Sequence, residues 1–224
     1  MLQTVARWVT VALVNPNTLD GDAMMILRSS PASPFARKVR IALVLLGLDG
    51  ETTVTPADPT DASDSVRQQN PLGKIPVLIA EDGTAYYDSR VILDYLDHRA
   101  GGGKIVPRDP DRRLEALRLQ ALCDGILDAS ILQVYEARWR APEQHVVKWI
   151  DHQAGKVARA LAVLDAAPPA IDHPPNVGQI TLACVLGYRD FRFGGDWRAG
   201  HPRLVAWHDR FAAEVPAYGA TSPG

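Results

Sequence analysis

Two short segments combine residue types that could bind an anion. Ser33 stands directly before Pro34, the arrangement of a helix N-cap followed by a proline at the first helical position. A helix N-terminus exposes unpaired N–H groups and a partial positive charge, so Ser33 could help to stabilise a thiolate held there. Asp88-Ser89 opens a second helix, where the N–H groups and the Ser89 hydroxyl could bind a carboxylate. Both segments are also ordinary helix caps, and the two interpretations are compatible.

One hydroxyl and one helix N-terminus can together supply the free energy that is needed to stabilise a thiolate beside Ser33. A free thiol has a pKa of about 8.5 and reacts as its thiolate. Lowering that pKa by about two units takes about 2.7 kcal/mol. A hydrogen bond to a charged acceptor contributes roughly 1.5–3 kcal/mol. Ser29 and Ser30 lie on the preceding strand-to-helix turn and are weaker candidates.

Two further patterns carry weaker signals. Pro76 opens a short apolar strand after Ile75, a position typical of edge strands. Arg37, Lys38 and Arg40 form a small basic cluster, which predicts a solvated helix face because basic side chains are mostly exposed.

The composition of the 224 residues argues against several classes of protein. Lys and Arg number 24 against 26 Asp and Glu, so the basic excess of a nucleic-acid binder is missing. Cys123 and Cys184 are too few for a disulfide framework or a four-cysteine zinc site, and their apolar surroundings predict buried thiols. The six histidines show no metal-binding spacing, so no metal site is expected. No apolar run reaches the roughly 20 residues that cross a bilayer, which predicts a soluble, cytoplasmic protein.

The elements that must position these residues begin with alternating strands and helices. Apolar strands are predicted over 25–28, 51–55, 75–79 and 84–87. A β-α-β unit pairs its strands in parallel, and a hairpin turn at Glu81-Asp82-Gly83 adds an antiparallel pair. The order β-α-β-α-β-β-α therefore predicts a mixed sheet with helices on its faces.

The second half of the chain has a helical period throughout. Helices are predicted to begin at Asp109-Pro110, Pro142, Asn176 and Pro202, with Asn176 and Gln179 as a capping box. The tail from Pro216 is predicted to be coil. The first of these helices is predicted to face the core with Leu114, Leu117, Ala121, Gly125, Asp128, Leu132 and Tyr135, and the second with Val146, Trp149, Ile150, Val157, Leu161 and Leu164.

These patterns divide the chain into four parts. Residues 1–23 are predicted to be a loose N-terminal extension, with a secretory signal as the weaker alternative. Residues 24–102 form the α/β domain and residues 109–224 the all-helical domain. The glycine- and proline-containing segment 103–108 is the linker between them.

Three motifs follow one another along the chain: Ser33-Pro34-Phe35-Ala36-Arg37-Lys38-Val39-Arg40, then Asn70-Pro71-Leu72-Gly73-Lys74-Ile75-Pro76-Val77-Leu78, then Asp88-Ser89. In this order they resemble the glutathione S-transferase superfamily. The resemblance covers about residues 24 to 220 and is greatest to bacterial serine-type members. It implies a thioredoxin-like N-terminal domain with a four-stranded mixed sheet, followed by an all-helical C-terminal domain. It also implies glutathione as cosubstrate, no permanently bound cofactor, and a homodimer.

The resemblance also implies roles for individual residues. Ser33 matches the catalytic serine. The glutathione-binding residues would be Phe35, Lys74, Ile75, a cis Pro76, Asp88 and Ser89. The electrophile would lie in the cleft between the domains, with Asp124, Asp128, Tyr135, Arg138 and Tyr188 as contact residues. Asp124 and Asp128 could instead bond local backbone or a dimer partner. At Gln179 the family usually has an acid, and the glutamine is still expected to cap its helix.

The function implied is that of a detoxifying glutathione S-transferase, which activates bound glutathione as a thiolate for attack on an electrophilic small molecule. Serine at position 33 disfavours chemistry through mixed disulfides. Two alternatives stay open. One is another glutathione-dependent reaction, such as isomerisation, dehalogenation or peroxide reduction. The other is a non-catalytic interaction protein, similar to the stringent-starvation regulators that use this fold.

Overall fold

A four-stranded mixed sheet forms the first half of the molecule, as the sequence predicts. The computed structural model describes residues 24–223, and the predicted extension 1–23 lies outside them. The strands, in the spatial order β2-β1-β3-β4, are β1 Met25–Ser29, β2 Thr52–Pro56, β3 Val77–Ile79 and β4 Ala85–Tyr86. β1 pairs with β2 in parallel, whereas β3 is antiparallel to both β1 and β4.

Three helices accompany the sheet: α1 Pro34–Leu46, α2 Val66–Gln69 and α3 Ser89–Arg99. The hydroxyl of Ser33 accepts a hydrogen bond from the Ala36 N–H at 3.2 Å and so caps α1. Gly47 ends α1 with φ 71°, a left-handed conformation that glycine adopts without strain. α1 and α3 pack against each other, so both helices lie on the same face of the sheet.

The second half is helical. Its helices are α4 Pro110–Trp139, α5 Val147–Ala166, α6 Val177–Phe193, α7 Pro202–Glu214 and α8 Pro216–Ala220. This architecture confirms the predicted thioredoxin-like sheet followed by a helical half. Within residues 24–223, every helix is too short or too polar to span a membrane.

The central helix of this half is α6, which begins at the predicted capping box. The Asn176 side chain accepts hydrogen bonds from the N–H groups of Gly178 and Gln179, and the Gln179 side chain accepts one from the Asn176 N–H. All residues from 177 to 189 are buried, because α6 packs against both α1 and α4. This helix therefore joins the two halves of the molecule.

The inward face predicted for α4 is wrong. Leu114 is 67% exposed and Tyr135 40% exposed. The buried residues of α4 are Ala116, Gln120, Cys123, Asp124, Ile126, Leu127, Ala129, Ser130 and Glu136. Because α4 packs against both α5 and α6, its buried surface is broader than one stripe and lies on a different side from the predicted one.

Two other helix predictions are also wrong. Pro142 starts a separate one-turn 3₁₀ helix, and the following α-helix begins at Val147, which leaves Val146 and Trp149 exposed. The tail from residue 216 forms α8 rather than coil. Its Tyr218 is buried, and burial of this aromatic side chain favours an ordered tail.

The buried state predicted for both cysteines is confirmed. Burial raises the pKa of the Cys184 thiol to about 11 and that of Cys123 still further. Both thiols are therefore protonated at neutral pH, and neither is a reactive nucleophile.

Candidate active site

The three predicted motifs meet at one end of the sheet. Arg28 on β1 pairs with Val77 on β3, so the register continues with Ser29 opposite Pro76. Leu78 pairs with Tyr86 on β4, and the same register places Asp88 beyond β4 on the other side of Pro76. The chain leaves this end of β1 towards Ser33 and the start of α1.

Ser33 retains a free hydrogen-bond donor at this position. Its oxygen accepts from the Ala36 N–H at 3.2 Å, and a hydroxyl that accepts one bond can still donate its own proton. The cleft beside Ser33 is lined by Pro31, Ala32, Ser33, Pro34, Arg37, Gly187, Tyr188, Phe191 and Pro223. It therefore lies between the start of α1, α6 and the C-terminal tail.

Ile75 presents backbone groups at the centre of this end of the sheet. The Ile75–Pro76 peptide bond is cis, as the resemblance implies. Among residues 24–223, neither the N–H nor the C=O of Ile75 has a backbone partner. The preceding Lys74 has an exposed side chain, and its C=O accepts a bond from Asn70 Nδ2 at 2.9 Å. An extended ligand could pair with Ile75 in the manner of an added strand.

Asp88 and Ser89 form the start of α3. Asp88 is the N-cap and accepts a hydrogen bond from the Arg90 N–H at 3.0 Å, and Ser89 follows as the first helical residue. The Arg90 guanidinium lies 3.4 Å from an oxygen of Asp88 and 3.4 Å from an oxygen of Asp124 on α4. The N-terminus of α3 thus combines free N–H groups, a hydroxyl and an ion-pair chain that reaches α4.

Asp124 lies at the interface of the two halves. Its carboxylate contacts the Lys38 ammonium at 2.5 Å, and the Lys38 side chain is fully buried. Burial raises the pKa of Asp124, while the positive charge of Lys38 opposes this shift. The Lys38 ammonium also lies 5.4 Å from the centre of the ring of the half-buried Phe35. The exposure predicted for Lys38 is therefore wrong, because an acid on α4 neutralises it.

Arg37 is also buried, contrary to the predicted solvated face. Only 4% of its surface is exposed. Its guanidinium donates to the Tyr218 C=O at 2.8 Å and lies 4.0 Å from the centre of the Tyr218 ring. α8, where the sequence predicts coil, thus supplies the partners that allow this arginine to be buried.

The predicted electrophile contacts occupy different environments. Tyr188 lies in the cleft with Ser33, and burial raises its pKa. On α4, Asp128 is exposed, and the exposed Arg138 lies 5.3 Å from the centre of the Tyr135 ring. The carboxylate of Asp124 is occupied by Lys38 and is almost inaccessible.

Sequence reasoning missed most of the residues that line the cleft, among them Phe191, Arg37 and Pro223. Phe191 follows Tyr188 at helical spacing on α6, a pattern that could have identified it. Arg37 belongs to the first motif but was predicted to face solvent. Pro223 lies beyond the last helix, and nothing in the sequence indicates its position.

A larger groove lies elsewhere on the helical half, between α4, α5 and the start of α6. Leu119, Val163 and Gln179 are among its lining residues. It contains none of the predicted site residues. Within residues 24–223, no three His, Cys, Asp or Glu side chains form a cluster that could hold a metal ion.

Comparison with known families gives two matches in chain order. Residues 27–104 match the family profile described as glutathione S-transferase, N-terminal domain. Residues 147–210 match that of the glutathione S-transferase, C-terminal domain.

Individual proteins are similar over most of the chain. The uncharacterized GST-like protein YibF of Escherichia coli is 35% identical over 187 residues, which cover 81% of this chain and 90% of YibF. A maleylacetoacetate isomerase of Pseudomonas aeruginosa is 32% identical over 207 residues, 83% of this chain and 96% of the isomerase.

A similar solved structure is a glutathione transferase family member from Pseudomonas fluorescens Pf-5. With bound glutathione it is 42% identical and superposes with a TM-score of 0.82, over 89% of this chain and 99% of that chain. With bound S-(propanoic acid)-glutathione it superposes with a TM-score of 0.80, at 42% identity, over 89% and 100% of the two chains.

Proposed function

The chain belongs to the glutathione S-transferase family, and we propose that it is a transferase of the serine type. In this proposal Ser33 donates a hydrogen bond to the thiolate of bound glutathione, which attacks an electrophilic small molecule. The observation that carries the proposal is the meeting of Ser33, Ile75 and Ser89 at one end of the sheet. Each of the three offers hydrogen-bonding groups that suit a different part of glutathione.

Glutathione would bind in an extended conformation across this end of the sheet. The N–H and C=O of Ile75 pair with the cysteinyl residue of glutathione. The γ-glutamyl carboxylate binds the N–H groups at the start of α3 and the Ser89 hydroxyl, and Asp88 contacts the γ-glutamyl ammonium. Phe35, Lys74 and Pro76 complete the proposed site. A relative at 42% identity that was crystallised with glutathione supports this ligand.

The reaction proposed is a nucleophilic attack. The thiol of glutathione loses its proton to solvent, and the N-terminus of α1 together with the Ser33 hydroxyl stabilises the thiolate. Sulfur then forms a bond to the electrophilic carbon, and the leaving group departs with the electron pair of its broken bond. The proposed electrophile contacts are Asp128, Tyr135, Arg138 and Tyr188, of which Tyr188 shares the cleft with Ser33. Asp124 is left out of this set, because Lys38 occupies its carboxylate.

The remaining parts of the proposal concern the whole protein. We propose a cytoplasmic, detoxifying homodimer with a glutathione-binding domain over 24–102, a linker over 103–108 and a helical domain over 109–224. Exposed apolar side chains support dimerisation: Val91 on α3 is 49% exposed and Leu114 on α4 is 67% exposed. Sedimentation velocity distinguishes a dimer from a monomer directly.

Calorimetric titration with glutathione, followed by assays with a panel of electrophiles, tests the proposed function. We expect saturable binding of glutathione and conjugation of at least one electrophile. The absence of saturable binding would refute the proposal. Binding without turnover of any electrophile would favour a non-catalytic interaction protein.

A second candidate activity is glutathione-dependent isomerisation. It is favoured by the 32% identity to a maleylacetoacetate isomerase, which extends over 96% of that enzyme. An assay that follows cis–trans isomerisation of an unsaturated dicarboxylate separates the two activities, because an isomerase regenerates glutathione and a transferase consumes it.

A further inference from the structure

The cleft beside Ser33 is too small to admit a substrate in this structure. Its volume is about 10 Å³, which is roughly the space that one water molecule needs. Pockets that bind small molecules measure about 300–1,000 Å³. The proposed reaction brings an electrophile to a sulfur beside Ser33, so a wall of this cleft has to move before the two can meet.

Two of the three walls belong to elements that pack in the core. One is the start of α1, where Pro34 is buried. Another is the segment of α6 that contains Gly187 and Tyr188, both of which are buried. α1 and α6 pack directly against each other. Movement of either helix would disrupt close-packed apolar contacts, which is costly.

The third wall is Pro223, which follows α8. Pro223 is half-buried, and the preceding Ser222 is exposed. Segments with little buried apolar surface open at a lower free energy than the core does. Of the three walls, this one therefore moves most easily.

Arg37 fastens this segment to the rim of the cleft. Its guanidinium donates a hydrogen bond to the Tyr218 C=O at 2.8 Å and a longer one to the Ser222 hydroxyl at 3.4 Å. The Tyr218 hydroxyl contacts His208 of α7 at 2.7 Å. α8 is thus held by two short contacts, whereas the segment that carries Pro223 is held by a long and weaker one.

Thr221 separates the firmly held α8 from the weakly held segment. Thr221 is 5% exposed, and its hydroxyl donates to the C=O groups of Ala217 and Tyr218 at 2.9 and 3.2 Å. These bonds tie Thr221 to α8. A movement that begins after Thr221 breaks the bond to Ser222 but leaves the packing of α8 intact.

We propose that residues 222–223, here called the tail lid, close the Ser33 cleft in this structure and swing away after Thr221 to admit the electrophile. Arg37 is the latch that holds the tail lid shut through Ser222. The inference rests on the proposed function, since that function places the sulfur beside Ser33. It predicts that access to the cleft depends on the size of the reagent.

The Ser33→Cys variant measures access to the cleft without any conjugation of glutathione. Its alkylation rate constants with small iodoacetamide and with bulky N-(1-pyrenyl)maleimide are compared by mass spectrometry. The ratio of bulky to small reagent largely cancels the reactivity of the thiolate. Cys123 and Cys184 are buried with raised thiol pKa values and react slowly. Ser63→Cys, at an exposed position between β2 and α2, is the matched control.

We expect the ratio for Ser33→Cys to be about tenfold or more below that for Ser63→Cys, because only the open fraction of molecules admits the bulky reagent. Adding Ser222→Ala and Pro223→Gly removes the latch bond and the ring that lines the cleft, and should raise the ratio for Ser33→Cys. A chain that stops after Thr221 lacks the tail lid and should raise it about tenfold. The same changes should leave the ratio for Ser63→Cys as it was.

Equal ratios for Ser33→Cys and Ser63→Cys would overturn the inference, because the cleft would then be open without any movement. A ratio for Ser33→Cys that the two lid substitutions leave unchanged would overturn it as well, since another wall must then move. So would a rise accompanied by labelling of buried Cys184, which reports unfolding of the core. The lid variants that keep Ser33 are also assayed for conjugation. If labelling supports the tail lid but no electrophile is conjugated, the transferase function alone is refuted.

Discussion

At the scale of single residues, the Ser33 oxygen combines an observed capping contact with the role in catalysis that we propose for its hydroxyl. Its lone pair accepts the Ala36 N–H and caps α1, while its proton is available to a ligand. The two roles predict different responses to substitution. Alanine removes both bonds, whereas glycine is almost as good an N-cap as serine but has no hydroxyl.

We therefore expect Ser33→Ala and Ser33→Gly to lose similar activity but different stability. Loss of a hydrogen bond to a charged group predicts a fall in kcat/KM of roughly 10- to 100-fold. The apparent pKa of bound glutathione should rise by about one to two units. Alanine should cost about 1 kcal/mol of unfolding free energy and glycine a few tenths. Unchanged conjugation by Ser33→Gly would show that the hydroxyl does not act on the thiolate.

His208 predicts a pH dependence of stability. Burial lowers the pKa of its imidazole, which contacts the Tyr218 hydroxyl at 2.7 Å and faces the Arg198 guanidinium at 3.4 Å. The other charged groups that act on it are Asp190, Asp209 and Arg37. A lowered pKa means that the folded protein favours the neutral imidazole, whereas the unfolded chain gains a proton near pH 6.5.

The contribution of His208 to the free energy of unfolding is thus present above about pH 6.5. It is lost as the pH falls towards the lower pKa that the imidazole has in the folded protein. We expect the urea midpoint of the wild type to fall between about pH 7.5 and about pH 5.5 by more than that of His208→Gln. His98→Gln, at an exposed histidine, is the control and should behave as the wild type. Equal pH dependence in His208→Gln would contradict the assignment.

At the scale of elements, the sequence predicts best what depends on neighbours in the chain. The start and end of α1 at Ser33 and Gly47, and the capping box at Asn176, follow from local residue types. The sheet topology follows from short connections. The buried face of α4 could not be predicted, because it depends on which helices pack against it, and its apolar residues lie on more than one side.

In the candidate site, too, features that depend on neighbouring residues are predictable and features that depend on distant contacts are not. The motif residues Ser33, Ile75 and Ser89 are recognisable in sequence because each lies at the start of an element or just before it. The burial of Arg37 was mispredicted, because its partners at Tyr218 and Ser222 lie more than 180 residues away in the chain. Arg37 and Tyr218 are 181 residues apart, and no local sequence pattern predicts a contact over such a separation.

The capping box of α6 predicts a measurable element-scale effect. Asn176→Ala removes the acceptor for the N–H groups of Gly178 and Gln179, which should cost about 1 kcal/mol of unfolding free energy. Asn176→Ser, which restores a capping oxygen, is expected to recover most of this loss. Urea unfolding followed by tryptophan fluorescence measures both. Equal stability of the alanine and serine variants would show that the cap is not significant for α6.

At the scale of the whole molecule, the start of α1 connects the two halves. Arg37 contacts α8 and lies close to α6, and Lys38 contacts Asp124 on α4. Ser33 caps the N-terminus of the same helix. The proposed catalytic position and the interface between the halves are therefore built on one element, so we expect changes at the interface to affect stability and activity together.

The Lys38–Asp124 pair tests this connection. Its charges are buried, so Asp124→Leu leaves Lys38 without a counter-charge and should cost roughly 3–5 kcal/mol. Lys38→Met should cost less, because the exposed Arg90 still lies 3.4 Å from the Asp124 carboxylate. The double variant should be more stable than either single variant, because no buried charge remains. Urea unfolding of all four proteins gives the coupling energy.

The exposed Arg210–Glu214 pair on α7 provides the control for this cycle. Arg210→Met should cost less than about 1 kcal/mol, and that cost should shrink as salt screens the charges. The cost of Lys38→Met should change little with salt, because buried charges are screened much less. If Lys38→Met were no more destabilising than Arg210→Met, the pair would not stabilise the contact between α1 and α4. The two halves would then be held together by the apolar packing of α6 against α1, which Lys38→Met leaves in place.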